Sequence, residues 1–129
     1  MTWYTASIII SCRLKEEKQD VYPVYENFTL FEATSRQEAL EKATKYAKEY
    51  AEIDDQLQLN GKSAYWKFEG IRKLIEVRNH LSDELDLEHP DDGAEVSYSY
   101  MEVGSEKKIK DLANGQAVAV RYVDAADDE

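Results

Sequence analysis

Residues 3–14 alternate without a break. Tyr4, Ala6, Ile8, Ile10, Cys12 and Leu14 fall on one side; Trp3, Thr5, Ser7, Ile9, Ser11 and Arg13 fall on the other. A period of two belongs to extended backbone, whose successive side chains point to opposite faces. One side is apolar and the other mostly polar, the pattern of a half-buried antiparallel strand. A strand of this length obliges the rest of the chain to supply partners along both edges and a cover for the apolar face.

The remaining segments meet that demand. Residues 24–33 form a second strand, with Pro23 near its start where a missing donor is tolerated. The polar stretch from Lys15 to Asp20 connects the two as a hairpin. Residues 36–57 read as the long helix. Ser35 and Glu38 have the spacing of a capping box, in which each side chain satisfies a free backbone donor. Ala39, Leu40, Ala43, Ala47, Tyr50 and Leu57 mark its apolar stripe. Glu38→Lys42 and Glu41→Lys45 are spaced as supporting pairs. Asn60-Gly61 marks a turn into a strand over 64–77, where Trp66 and Phe68 share a face and the apolar parity then passes to Ile71, Ile75 and Val77. A parity change at Gly70 predicts a β-bulge, the alternative being a strand that ends near Ile71 and passes into a short helix.

Residues 79–93 read as a polar loop or a short irregular helix, closed by Asp92-Gly93. Alternation returns over 94–103, with Val96, Tyr98 and Tyr100 opposite Ser97 and Ser99. Ser105 caps a short helix over 106–113, with Ile109, Leu112 and Ala113 inward and Asn114-Gly115 as its stop. A last strand covers 116–123. The order β-β-α-β-β-short α-β predicts an α+β domain: an antiparallel sheet of about five strands with one long helix packed on one face. Residues 1–123 form the domain and 124–129 an acidic, frayed tail.

The chain of 129 residues has a net charge of −11, from 16 Lys+Arg against 27 Asp+Glu. That charge is localised. Asp83, Glu84, Asp86, Glu88, Asp91, Asp92 and Glu95 occupy 83–95 with no Lys or Arg, and the tail adds Asp124, Asp127, Asp128 and Glu129. The rest of the chain is balanced. Nucleic acid and anionic membranes call for a basic footprint, so neither is an expected partner. No apolar run approaches the roughly 18 residues of a membrane span. Met1-Thr2-Trp3-Tyr4 lacks a basic leader region, and Ile8–Ile10 is too short for a signal core. With one cysteine and no internal disulfide, the expected setting is cytoplasmic.

Catalytic signatures are absent. Cys12 has the strand parity of a small buried hydrophobe. His80 and His89 flank the acidic loop without a metal-ligand spacing, so no metal and no cofactor is expected. Tyr65, Trp66, Tyr98, Tyr100 and Tyr122 have the character of a base-stacking platform. Their cationic company is limited to Lys67, Arg72, Lys73 and Arg121, and packing is the better reading.

Several segments together carry a resemblance. They are Trp3-Tyr4-x-Ala6, Glu26, Ala33-x-Ser35-x-x-Glu38-Ala39-x-x-Lys42-Ala43, Trp66-Lys67-Phe68-x-Gly70-Ile71 and Asp92-Gly93-x-Glu95-Val96. In this order the chain resembles the small bacterial proteins grouped as domain of unknown function 4288, over residues 3 to about 96. The resemblance implies no activity and no catalytic residue. Residues 104–129 lie beyond it.

The leading expectation is a non-enzymatic protein that binds another protein, a basic one, through the acidic residues of 83–95, in the manner of an immunity protein or adaptor. The alternative is a small-ligand binder or enzyme with a pocket between helix 36–57 and the sheet, lined by Trp3, Tyr50, Trp66 and Tyr98 with Glu26 as the polar group. Self-association through an edge strand at 94–103 or 116–123 would make a small homo-oligomer in place of a monomer.

Overall fold

The alternating segment becomes β1 (Thr2–Leu14), and the computed structural model, which describes residues 1–77 and 92–123, places it at the centre of the sheet. The other elements are β2 (Tyr22–Ala33), α1 (Arg36–Glu52), β3 (Gln58–Leu59), β4 (Lys62–Val77), β5 (Ala94–Val103), α2 (Glu106–Ala113) and β6 (Arg121–Tyr122). Six strands form one sheet in the order β3-β4-β1-β2-β5-β6, and every neighbouring pair is antiparallel. The fold is α+β as the pattern predicts, with a sixth, two-residue strand, β3, at the edge. Asn60 and Gly61 both take positive φ, at 53° and 80°, and close the β3–β4 hairpin, with Leu59 and Lys62 flanking them. A tight turn of that kind matches the twist of its strands.

Each face has its own core. On one, Tyr4, Ala6, Ile8, Ile10, Phe31, Ala33 and Leu74 pack against Ala39, Ala43 and Ala47 of α1. On the other, Ile9, Val24, Met101 and Val103 pack against Ile109, Leu112 and Ala113 of α2. The second face is thus not the solvated one that the alternation predicts: α2 and the segment after it cover it. Ser7, Ile9, Ser11 and Arg13 are all buried. The small serines leave room there, and the polar groups find partners. Ser7 donates to Glu26, and Ser11 donates to Glu69, which also accepts from Arg13 at 2.7 Å.

Two bulges in β4 build this arrangement. The register with β1 shifts between Ile9 and Ile10 and again between Ser7 and Ile8, skipping Glu69 and then Arg72. The first shift, beside Gly70, is the predicted one and turns Ile71 onto the α1 face. The second restores the original parity. Leu74 is therefore buried on that face, whereas Ile75 and Val77, expected there, are exposed. Both skipped residues are charged and both turn toward α2. The Arg72 guanidinium donates to the carbonyl of Leu112 at 2.6 Å and of Gln116 at 3.1 Å. Gly70 lets α2 approach: a Cβ there would lie 3.1 Å from the Ala113 methyl.

Local signals are partly redirected. Ser35 caps α1 by accepting from the Glu38 amide at 3.1 Å. The return arm of the capping box reaches Thr34 instead, where the Glu38 carboxylate accepts from both the amide and the hydroxyl. Helix α1 ends at Glu52, not at residue 57, and Leu57 uses its carbonyl to accept from the Ala64 amide. Lys42 turns from Glu38 to Asp92, and Glu41 accepts from Gln37 in place of pairing with Lys45. Helix α2 keeps its predicted bounds, its Ser105 cap and its inward residues. The last strand shrinks to Arg121–Tyr122. Residues 116–120 run over the second core, where Val118 and Val120 are half-buried.

Candidate functional site

The register lays out three rows on the α1 face. Ile10 lies between Phe68 and Tyr25, and Tyr25 pairs with Tyr100. Ile8 pairs with Asn27, and Asn27 with Tyr98. Ala6 pairs with Thr29, and Thr29 with Glu95. The third row depends on a bulge. The β2–β5 register skips Val96 between Phe28 and Thr29. Strict alternation would set Glu95 with Ser97 and Ser99 on the other face. The extra residue turns its carboxylate to the side of Tyr98 and Tyr100.

Where α1 passes from its alanines to Tyr46 and Tyr50, a cavity of about 220 Å³ opens between helix and sheet. It is lined by Ile10, Tyr25, Asn27, Tyr50, Trp66, Glu95 and Tyr98. A smaller one of about 50 Å³ shares Ile10, Asn27, Tyr50 and Glu95 with it and reaches in to Ile8, Thr29, Tyr46 and Ala47. The rings are set by their neighbours. Tyr25 stacks on Tyr100 with centroids 4.6 Å apart and meets Trp66 edge-on, 5.6 Å away at 76°. Tyr98 lies 6.0 Å from Tyr25 at 49°. Phe31 meets Tyr46 edge-on at 5.6 Å, and Tyr46 stacks near Tyr50 at 6.0 Å. Such pairs fix ring orientation as well as burying area.

Glu95 is the one carboxylate among the described lining residues. Desolvation by its surroundings pushes its carboxyl above the ordinary value. Burial, then Tyr50 and Glu95, push the Tyr46 phenol up as well. One carboxylate, one amide and several phenols supply binding groups. A paired-carboxylate hydrolase needs a second acid at defined separation, and the described lining has none.

The predicted pocket residues divide by face. Tyr50, Trp66 and Tyr98 line the cavity. Trp3 and Glu26 sit on the opposite face, at odd positions of β1 and their β2 partners, and do not reach it. Ile10, Tyr25 and Asn27 were not singled out from the sequence; their common parity with Trp66 and Tyr98 was the available signal. Of the acidic residues, Asp83, Glu84, Asp86, Glu88 and Asp91 lie outside the described residues, as do His80, His89 and the tail. Asp92 is engaged: it accepts from the Glu32 amide and pairs with Lys42 at 2.9 Å. Glu95 belongs to the cavity. Among the described residues, no group of three His, Cys, Asp or Glu side chains is placed to hold a metal. No described helix is long and apolar enough to cross a membrane. Cys12 is buried, and burial pushes its thiol up. The tyrosines that suggested a stacking platform do not share one surface: Tyr98 and Tyr100 face α1, whereas Tyr65 pairs with Arg13 on the other side.

A family profile described as Domain of unknown function (DUF4288) matches residues 3–96. The chain belongs to this family. The DUF4288 match contains β1 through the first part of β5, and so every cavity residue except Tyr98. Helix α2 and β6 lie beyond it, although α2 packs in the core of the second face. No curated protein and no solved structure matches the chain.

Proposed function

We propose that the protein is a binding protein whose ligand enters the cavity between the second half of α1 and the sheet. The observation that carries this reading is the cavity itself: aromatic walls held by ring–ring contacts, with one carboxylate and one amide converging on them. A mostly apolar concavity with a few placed polar groups is the general form of a ligand site. The positive charge expected of a partner from the acidic stretch 83–95 is retained, because one acid of that stretch stands in the cavity.

The test is a fragment screen followed by two-dimensional NMR. The chain has two tryptophans, hence two indole N–H signals. Trp66 lines the cavity and Trp3 lies on the other face, so it serves as an internal control. Binding is expected to move the Trp66 signal saturably and to leave that of Trp3 in place. A screen in which no fragment does so overturns the reading.

A further inference from the structure

Glu95 stands among aromatic rings with no described cation or hydrogen-bond donor paired to its carboxylate, and among the described residues no Lys or Arg lines the cavity. Lys42 of α1, which reaches the turn before β5, is committed to Asp92. We infer that the cavity binds the head group of a small organic cation, an alkylated ammonium, with Glu95 balancing its charge and the rings of Tyr25, Tyr50, Trp66 and Tyr98 contacting its methyl or methylene surface. This deepens the ligand-binding reading above and rests on it.

Three properties of the site select that chemistry. The first is size. At about 220 Å³ the cavity is below the range of drug-sized ligand pockets and suits a single head group. The second is ring geometry. Trp66 and Tyr98 are inclined to Tyr25 by 76° and 49°, so the walls lie in different planes in place of one flat stack. A cation can then be contacted by several π-systems, the arrangement by which quaternary ammonium ions are recognised. The third is desolvation. A primary ammonium or a metal ion is strongly hydrated and would lose that water against apolar walls, whereas an alkylated ammonium brings its own apolar surface. An anion is repelled by Glu95. A neutral ligand such as a sugar could stack on the rings but would leave the carboxylate without its counter-charge.

Choline is the probe. Its control is the uncharged analogue in which a tert-butyl group replaces the trimethylammonium, which keeps shape and removes charge. Choline is expected to shift the Trp66 indole signal saturably, with the analogue roughly tenfold weaker. Glu95→Gln, which keeps the shape of the side chain and removes its charge, is expected to lower choline affinity toward that of the analogue and to leave the analogue unchanged. Tyr98→Ala, at an exposed ring, is expected to weaken both probes. If the analogue binds as well as choline, or if Glu95→Gln leaves choline binding intact, the cation inference is overturned while the cavity remains a ligand site. If neither probe nor any fragment moves Trp66, the inference and the reading beneath it fail together.

Discussion

Lys42 and Asp92 meet at 2.9 Å and tie the middle of α1 to the turn that begins β5. The Lys42 ammonium also donates to the Glu32 carbonyl at 2.6 Å, and Asp92 accepts from the Glu32 amide. Helix, β2 and turn are thus joined at Glu32, and Asp92 stands three positions ahead of Glu95. The bond is solvent-screened, with both side chains more than a third exposed.

Asp92 makes this junction sensitive to acid. Burial alone would raise its carboxyl; the Glu32 amide and the Lys42 ammonium outweigh that and hold it below its ordinary value of 3.8. A lowered carboxyl contributes stability that is present above the unfolded value and lost as the pH falls through the folded one. Asp92→Asn is expected to cost about 0.5 kcal/mol at neutral pH, the scale of a screened contact. The difference from wild type should vanish at acid pH, and thermal melts across the acid range measure it.

Glu95 should behave in the opposite sense. Its carboxyl is held above the ordinary 4.5 by desolvation, so the folded state binds its proton more tightly than the unfolded state does. That stability is fully present below the unfolded value and is lost as the pH rises through the folded one. Relative to wild type, Glu95→Gln is expected to gain stability as the pH rises through that window and to melt no lower at neutral pH. A variant that melts lower at neutral pH would show that the carboxylate is paired.

Gly93 faces the ring of Tyr46. With φ at +86°, a Cβ there would lie 2.9 Å from a ring carbon. Gly93→Ala combines backbone strain with displacement of a ring that lines the inner part of the cavity. It is expected to cost about 1–3 kcal/mol. The accompanying readout is a shift of the Tyr46 ring signals in NMR.

Arg13 and Glu69 form a buried pair, at 8% and 3% side-chain exposure. Burial works against the Arg13 charge, and Glu69 with Glu106 more than offsets it. Arg13→Met is expected to cost about 3–5 kcal/mol, because it leaves Glu69 charged and buried. Adding Glu69→Leu should recover much of that loss. Urea denaturation of both variants separates the pair's net worth from the penalty for breaking it.

Cys12 is 3% exposed, and desolvation pushes its thiol up. A thiol in that state is a poor nucleophile. Labelling with a disulfide reagent is expected to proceed only as the domain opens, with a rate that rises with denaturant. Immediate labelling in native buffer would contradict the burial.

The elements were legible wherever one local signal acted alone. Ser35, Ser105, Asn60-Gly61 and Asn114-Gly115 mark ends that the backbone honours, and Gly70 marks a real bulge. What escaped depends on partners distant in sequence. Arg13 reads as a solvent residue on the polar side of β1. Its burial follows from α2 packing across that side and from Glu69 being turned toward it by a bulge. The second shift at Arg72 has no local marker, since its cause is the pair of carbonyls that Arg72 reaches at the end of α2. Tyr50, Trp66 and Tyr98 were visible as aromatics of suitable parity. Glu95 was visible as charge alone, because only the skipped Val96 brings it to their face.

The central position of β1 has a consequence for biosynthesis and truncation. A nascent chain can close the β1–β2 hairpin early. The opposite edge of β1, including Ile8–Ile10, then waits for residues 62–77 to leave the ribosome. During that interval a long apolar strand presents unpaired amides and carbonyls, the arrangement that invites intermolecular pairing. Any fragment ending before β4 carries the same open edge permanently. The smallest unit able to pair both edges of its own middle strand therefore extends through Val77, and expression trials that stop short of it should yield aggregates.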